Sequence, residues 1–76
     1  MRKEILCLKK TKYETKDNRV VYRLHLWVDD GAVEYCVCPV QQDIYDCVED
    51  GAEFEAQYEL NVFGSKIYGI KNLVLV

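Results

Sequence analysis

Cys36-Val37-Cys38 is the one metal-like spacing in the sequence. Residues two apart on an extended strand point to the same side, so two thiolates so placed could supply half of a tetrahedral zinc site. Cys7, Cys47 or His25 would have to complete it, and no second paired motif accompanies it. Reduced cysteines packed in or beside the core, behaving as small hydrophobes, are the simpler expectation. The single histidine, His25, lies between Leu24 and Leu26 with no serine or cysteine nucleophile motif to serve. It reads as a surface-facing or partly covered side chain. Asp43, Asp46, Glu49 and Asp50 lack the alternating ligand pattern of a calcium loop and read as a solvated face. The expectation is no enzyme, no metal centre and no cofactor.

Cations and aromatics offer more. Lys9, Lys10, Lys12, Lys16, Arg19 and Arg23 are interleaved with Tyr13 and Tyr22, and Trp27 continues the same stretch. Cations neutralise phosphates while aromatic faces stack unpaired bases, a combination that suits sequence-tolerant single-strand binding. The overall charge of −3 hides a segregation. Residues 1 to 24 carry eight basic side chains against three acidic ones, hence +5, and residues 25 to 76 carry two against ten, hence −8. Such asymmetry points to a charged partner. Basic residues on an exposed hairpin also serve solubility and block edge pairing, so the pattern has a purely structural explanation as well.

The elements that must position these residues are short strands. Segment 4 to 13, EILCLKKTKY, begins apolar on both faces and turns into alternating lysines, as a strand does that leaves the core. ETKDNR follows as a turn, with Asp17-Asn18 tolerant of left-handed backbone. Segment 19 to 29 alternates: Val20, Tyr22, Leu24, Leu26 and Val28 share one face, and Val21, Arg23, His25 and Trp27 the other. Asp29-Asp30-Gly31 closes it, and 32 to 38 makes a third strand that Pro39 ends or places at an edge. Ile44, Cys47 and Val48, at i, i+3 and i+4, predict a helical turn ended by Gly51. Segment 53 to 63 puts Phe54, Ala56, Tyr58, Leu60 and Val62 inward, and Gly64-Ser65 turns into a last strand in which Gly69 allows a bend. With 76 residues this is one domain, 1–76, all-β. Three strands, a short helix and two strands match a five-stranded OB-type barrel. An SH3-like barrel or an open five-stranded sheet is the rival. No apolar run is long enough to span a membrane and no signal-peptide pattern opens the chain, so the expectation is a soluble, unexported, cytoplasmic protein with no membrane contact.

Two stretches resemble the gene V type single-stranded DNA-binding proteins of filamentous phages and the related small binding proteins of phages and conjugative elements. LWVDDGAVEYCV, residues 26 to 37, is similar to that family's aromatic-Val-Asp turn and following strand. EDGAEFEAQYELNVFGSKIYGIKNLVLV, residues 49 to 76, is similar to its closing hairpin, with the Phe-Gly-Ser turn and Leu-x-Leu-Val ending. The resemblance implies an OB barrel that forms a homodimer and coats single-stranded DNA, in preference to RNA, during replication or transfer. Lys16, Arg19 and Tyr22 would fall within its DNA-binding wing, Phe63 would match a base-stacking aromatic, and Trp27 would replace a tyrosine. Together with the hairpin reading, the candidate contacts are Lys10, Lys12, Tyr13, Lys16, Arg19, Tyr22, Arg23, Trp27, Phe63 and Lys71. The alternative is a protein-interaction module whose acidic face, with Glu53, Glu55, Glu59 and the 43 to 50 segment, docks a basic partner.

Overall fold

Period-two alternation of apolar residues builds the sheet and decides which side is buried. In the computed structural model, which describes residues 2–28, 31 and 33–76 and for Arg2 and Lys3 the backbone alone, the order is β1 (Arg2–Glu14), β2 (Val20–Trp27), β3 (Tyr35–Val40), α1 (Gln42–Cys47), β4 (Glu53–Phe63) and β5 (Lys66–Leu75). The expected turn at Asp29-Asp30 and the start of the third strand at Ala32 lie outside the described residues. The strands form one antiparallel sheet in the order β3-β2-β1-β4-β5.

β1 is the spine. Its first residues, Arg2 to Leu6, pair with Gln57 to Glu53 of β4, and Leu6 to Glu14 pair with Trp27 to Val20 of β2. A bulge between Cys7 and Lys9 separates the two regimes. An extra residue there bends the strand and increases its twist, which lets one strand serve two partners facing different ways. Loop 50–52 continues β4's role along β1: the Cys7 N–H donates to the Ala52 carbonyl at 2.8 Å, and the Gly51 N–H donates to the Cys7 carbonyl at 2.7 Å.

Ile5, Cys7, Leu24, Leu26, Val28, Cys38 and Tyr58 form the most deeply buried part of the core, and Cys36 joins them. Cys47 departs from the expected packing of the cysteines, standing exposed on α1. A six-residue helix buries none of its side chains outright. Pro39 does not end β3: it pairs with Arg23 inside the strand, and β3 is a terminal strand of the ladder, where the missing N–H costs no hydrogen bond. Val62, expected inward, is 49 % exposed. Register explains this, because β1 accompanies β4 only as far as Gln57, so the β4–β5 hairpin overhangs the core. β5 returns to β3 at Gly69, where an added methyl carbon would stand 3.2 Å from Cys36 Cβ. Among the described residues, no helix is long and apolar enough to cross a membrane.

Candidate nucleic-acid interface

Partners in register share a face of the sheet. Lys9 sits opposite His25, Thr11 opposite Arg23 and Tyr13 opposite Val21, while His25 faces Val37 and Trp27 faces Tyr35. All of these project away from the core, since Leu24, Leu26, Cys36 and Cys38 take the inward positions between them. The outer face of β1–β2–β3 therefore carries Lys9, Arg23 and His25 among Tyr13, Trp27 and Tyr35, and none of its positions on the three strands from Lys9 onward is a carboxylate.

These side chains are tied to one another. The Arg23 guanidinium lies 4.8 Å from the centre of the Tyr13 ring and donates from Nη2 to the Tyr13 hydroxyl at 2.8 Å. His25 bridges the three strands: Nε2 is hydrogen-bonded to Thr11 Oγ1 at 3.2 Å and Nδ1 to the Tyr35 hydroxyl at 2.7 Å. Trp27 and Tyr35, partners in register, are 43 % and 53 % exposed. Two large aromatic side chains at paired positions, each about half exposed, present π-surface of the kind on which unpaired bases stack.

The opposite side of the same hairpin does different work. Lys10, Lys12 and Tyr22 point there, since Lys10 pairs with Leu24 and Lys12 with Tyr22. Lys10 Nζ donates to the Tyr45 carbonyl at 2.8 Å and lies 4.5 Å from the centre of that ring, and its backbone N–H donates to Asp50 Oδ1 at 3.0 Å. Tyr22 packs on the same ring, with centroids 4.9 Å apart. Lys10 and Tyr22 thus fasten α1 to the base of the hairpin, whereas Lys12 stays exposed.

Beyond Lys12 the hairpin narrows to a two-stranded ribbon closed by a short loop. Asn18 adopts the left-handed conformation expected of it, with φ of 64°, and its N–H donates to the Thr15 carbonyl at 3.1 Å. Lys16 and Arg19 stand at this tip, exposed, and Arg19 makes a surface ion pair with Asp17 at 3.3 Å that contributes little to stability. Phe63 lies at the other end of the molecule's long spine, in the β4–β5 turn, 79 % exposed. Lys71 pairs with Glu59 on that second hairpin. Of the ten candidate contacts, the structure gathers Tyr13, Arg23 and Trp27 on one face, places Lys16 and Arg19 at the tip, turns Lys10, Lys12 and Tyr22 to the reverse, and sets Phe63 and Lys71 apart.

Lys9, His25 and Tyr35 are the members of the face that stand outside the ten candidate contacts. The signal for Tyr35 was present, because Cys36 and Cys38 inward make Tyr35 and Val37 outward. Its juxtaposition with Trp27 depends on the β2–β3 register. The cysteines meanwhile belong to the interior. Cys38 is pushed up to about 11 by burial first and by neighbouring Cys36 second, and Cys7 is also raised, chiefly by burial. His25 points to the opposite side of β2 from these thiols, and among the described residues no group of three or more His, Cys, Asp or Glu is placed to hold a metal.

Trp27 marks a boundary. Next to it, Leu6 pairs with Glu53 and Glu4 pairs with Glu55, so the outer surface becomes acidic across β1 and β4. A shallow crevice of about 370 Å³ lies on this line, bordered by Glu4, Leu6, Trp27 and Glu53. No family model matches the chain, and no curated protein or solved structure matches it either.

Proposed function

We propose that this is a non-enzymatic protein that binds single-stranded DNA without reading its sequence, on the outer face of β1–β2–β3. The observation that carries the reading is the carboxylate-free gathering of Lys9, Arg23 and His25 with Tyr13, Trp27 and Tyr35. Phosphates would meet the cations of this face, those of the hairpin tip, Lys16 and Arg19, and the exposed Lys12 on the reverse side, while bases stack on Trp27 and Tyr35. Lys10 and Tyr22 support the hairpin from behind. The ladder order, with β5 returning to β3 at Gly69, supports closure as an OB barrel. In that fold the face of strands 2 and 3, flanked by the β1–β2 and β4–β5 loops, is where oligonucleotides lie, which gives Phe63 a place at the far end of the track. The likeness to gene V type proteins favours DNA over RNA, a homodimer, and a role in the replication or transfer of a phage or mobile element in the cytoplasm.

Trp27 is the single tryptophan, so its fluorescence reports on the face directly. Titration with oligo-dT at two salt concentrations is expected to quench it, with affinity falling as salt rises by a slope of about −0.7 per phosphate engaged. Absence of binding at low salt, or binding indifferent to salt, rejects the reading. Competition with oligo-U decides between DNA and RNA.

The acidic surface supports a second reading. Glu4 and Glu55 stand directly opposite one another, with Glu53 beside them. A basic partner would meet three carboxylates gathered on this surface. Reversing Lys12, Lys16 and Arg19 to Glu should abolish DNA binding under the first reading and spare a basic protein partner under the second.

A further inference from the structure

We infer that His25 is a positioning residue for base stacking, holding the Tyr35 side chain in place beside Trp27 before DNA arrives. The inference rests on the single-strand reading above and gives a role within the same site to a side chain that contacts neither base nor phosphate. Thr11, His25 and Tyr35 stand on β1, β2 and β3, all on the outer face. His25 Nε2 is hydrogen-bonded to Thr11 Oγ1 at 3.2 Å and Nδ1 to the Tyr35 hydroxyl at 2.7 Å, so one ring ties the three strands together.

The shorter of these bonds fixes where the tyrosine lies. Tyr35 pairs in register with Trp27, whereas His25 pairs with Val37, two residues further along β3. For its hydroxyl to reach Nδ1, the Tyr35 side chain runs diagonally across to β2, a span that long aromatic side chains cover. The ring then stands 6.2 Å from the imidazole, tilted by 41°. Tyr35 is the first residue of β3 and is 53 % exposed. Untethered, it would rotate among staggered rotamers, and stacking would have to select one of them at a cost in conformational entropy. His25 is itself half-buried and held from its far side by Thr11, so the tether has a fixed end. Either hydroxyl can donate or accept, and the bridge therefore closes with either imidazole tautomer.

The same bonds divide the labour on the face. With both nitrogens engaged, His25 keeps no polar atom for a phosphate, and that contact falls to Lys9 and Arg23 beside it. The Tyr35 hydroxyl is bonded to His25 and the Tyr13 hydroxyl accepts from Arg23 at 2.8 Å. What the two tyrosines hold out to a strand is then aromatic surface, with their hydroxyls already committed within the protein. Every base has a π-face, so rings presented in this way grip a strand without reading base edges.

The test is a double-mutant cycle on the affinity of the intact protein for labelled oligo-dT, read by anisotropy over a series of salt concentrations, with the urea midpoint of each variant measured alongside. Tyr35→Phe keeps the ring and removes the tether, and His25→Leu removes the tether from its other end. Each is expected to weaken binding about two- to tenfold, the worth of one hydrogen bond or one immobilised side chain. The salt slope should stay unchanged, because no phosphate contact is touched. The double variant should bind no more weakly than the weaker single one, since both break the same bond. His25→Asn, whose amide can take the place of Nδ1, should restore wild-type affinity. A bridge that is only structural would lower the urea midpoints and leave the affinity of the folded variants at the wild-type value, and that result overturns the inference. Additive losses in the double variant overturn it as well, and either outcome leaves the single-strand reading intact. No oligo-dT binding by the wild type overturns both. Should His25→Leu fold poorly, Tyr35→Phe and His25→Asn decide: a loss in the first and none in the second is required, and any other pairing rejects the role.

Discussion

Trp27 sits where two kinds of surface meet, cationic and aromatic on one side and acidic on the other. Half-exposed, it contributes modestly to the core and fully to any stacked complex. Trp27→Ala is expected to weaken oligo-dT binding by about 1–3 kcal/mol, measured by anisotropy of a labelled oligonucleotide, with little change in the urea midpoint. Cys38 behaves oppositely, as a side chain with no exposure and a thiol held protonated by burial. Its pKa is raised in the folded state from the ordinary 9.0 to about 11. The stability this represents is fully present below the unfolded thiol's range and is lost as pH rises from about 9 through 11. Denaturation midpoints measured from pH 8 to pH 10.5 should fall, and Cys38→Val should fall less steeply. An identical decline in both would contradict the assignment.

At the level of elements, the β1–β2 hairpin has two sides with two duties. Its reverse side anchors α1 through the Lys10 contacts with Tyr45 and the loop after α1 through Asp50, while its outer side and tip carry the exposed Lys9, Tyr13, Lys16, Arg19 and Arg23. Lys10→Met on the reverse side and Lys9→Glu on the outer side should therefore separate. The first is expected to lower stability by about 1 kcal/mol in urea denaturation with little effect on the salt slope, because it removes a buried-side hydrogen bond and a cation–aromatic contact. The second should leave stability nearly unchanged and reduce the salt slope by about 0.7. Matching effects of the two would mean that the hairpin's faces are not functionally distinct. The β4–β5 hairpin overhangs in the opposite direction, which accounts for the exposure of Val62 and Phe63 despite an alternation that reads as half-buried.

For the whole molecule, the decisive contact is the approach of β5 to β3, the first and last strands of the ladder. Gly69 makes it possible in two ways: its φ of +135° is one that side-chain-bearing residues rarely adopt, and a methyl there would press on Cys36 Cβ at 3.2 Å. Gly69→Ala is expected to cost about 1–3 kcal/mol, read as a lower urea midpoint at unchanged m value. An unaffected midpoint would show that the two strands are not held against one another. Charge is distributed on the same scale, with a basic wing on one side of β1 and an acidic wall on the other, so the sheet is polar as a body although its net charge is small.

Much of this was legible in one dimension. The alternation of 53 to 63 and of 19 to 29 specified strands and most of their inward faces, Val62 excepted, Asn18 announced a left-handed turn, and the spacing around Ile44 located a helix that stops at Cys47, short of Gly51, with Cys47 exposed and Val48 beyond its end. These are local matters, set by side-chain period and backbone sterics. Alternation also separated Arg23, His25 and Trp27 from Tyr22 and Leu24. It could not say which residues of β1 and β3 lie beside them, because register is a property of paired strands and a single bulge between Cys7 and Lys9 reassigns every later lysine to the other side. That displacement turned Lys10 toward Tyr45 and Lys9 toward His25. Only the tertiary structure decided that Tyr35 joins Trp27, that His25 rests between two hydroxyls, and that Phe63 and Lys71 belong to the far hairpin, since each depends on long-range pairing between segments whose own sequences carry no record of their partner.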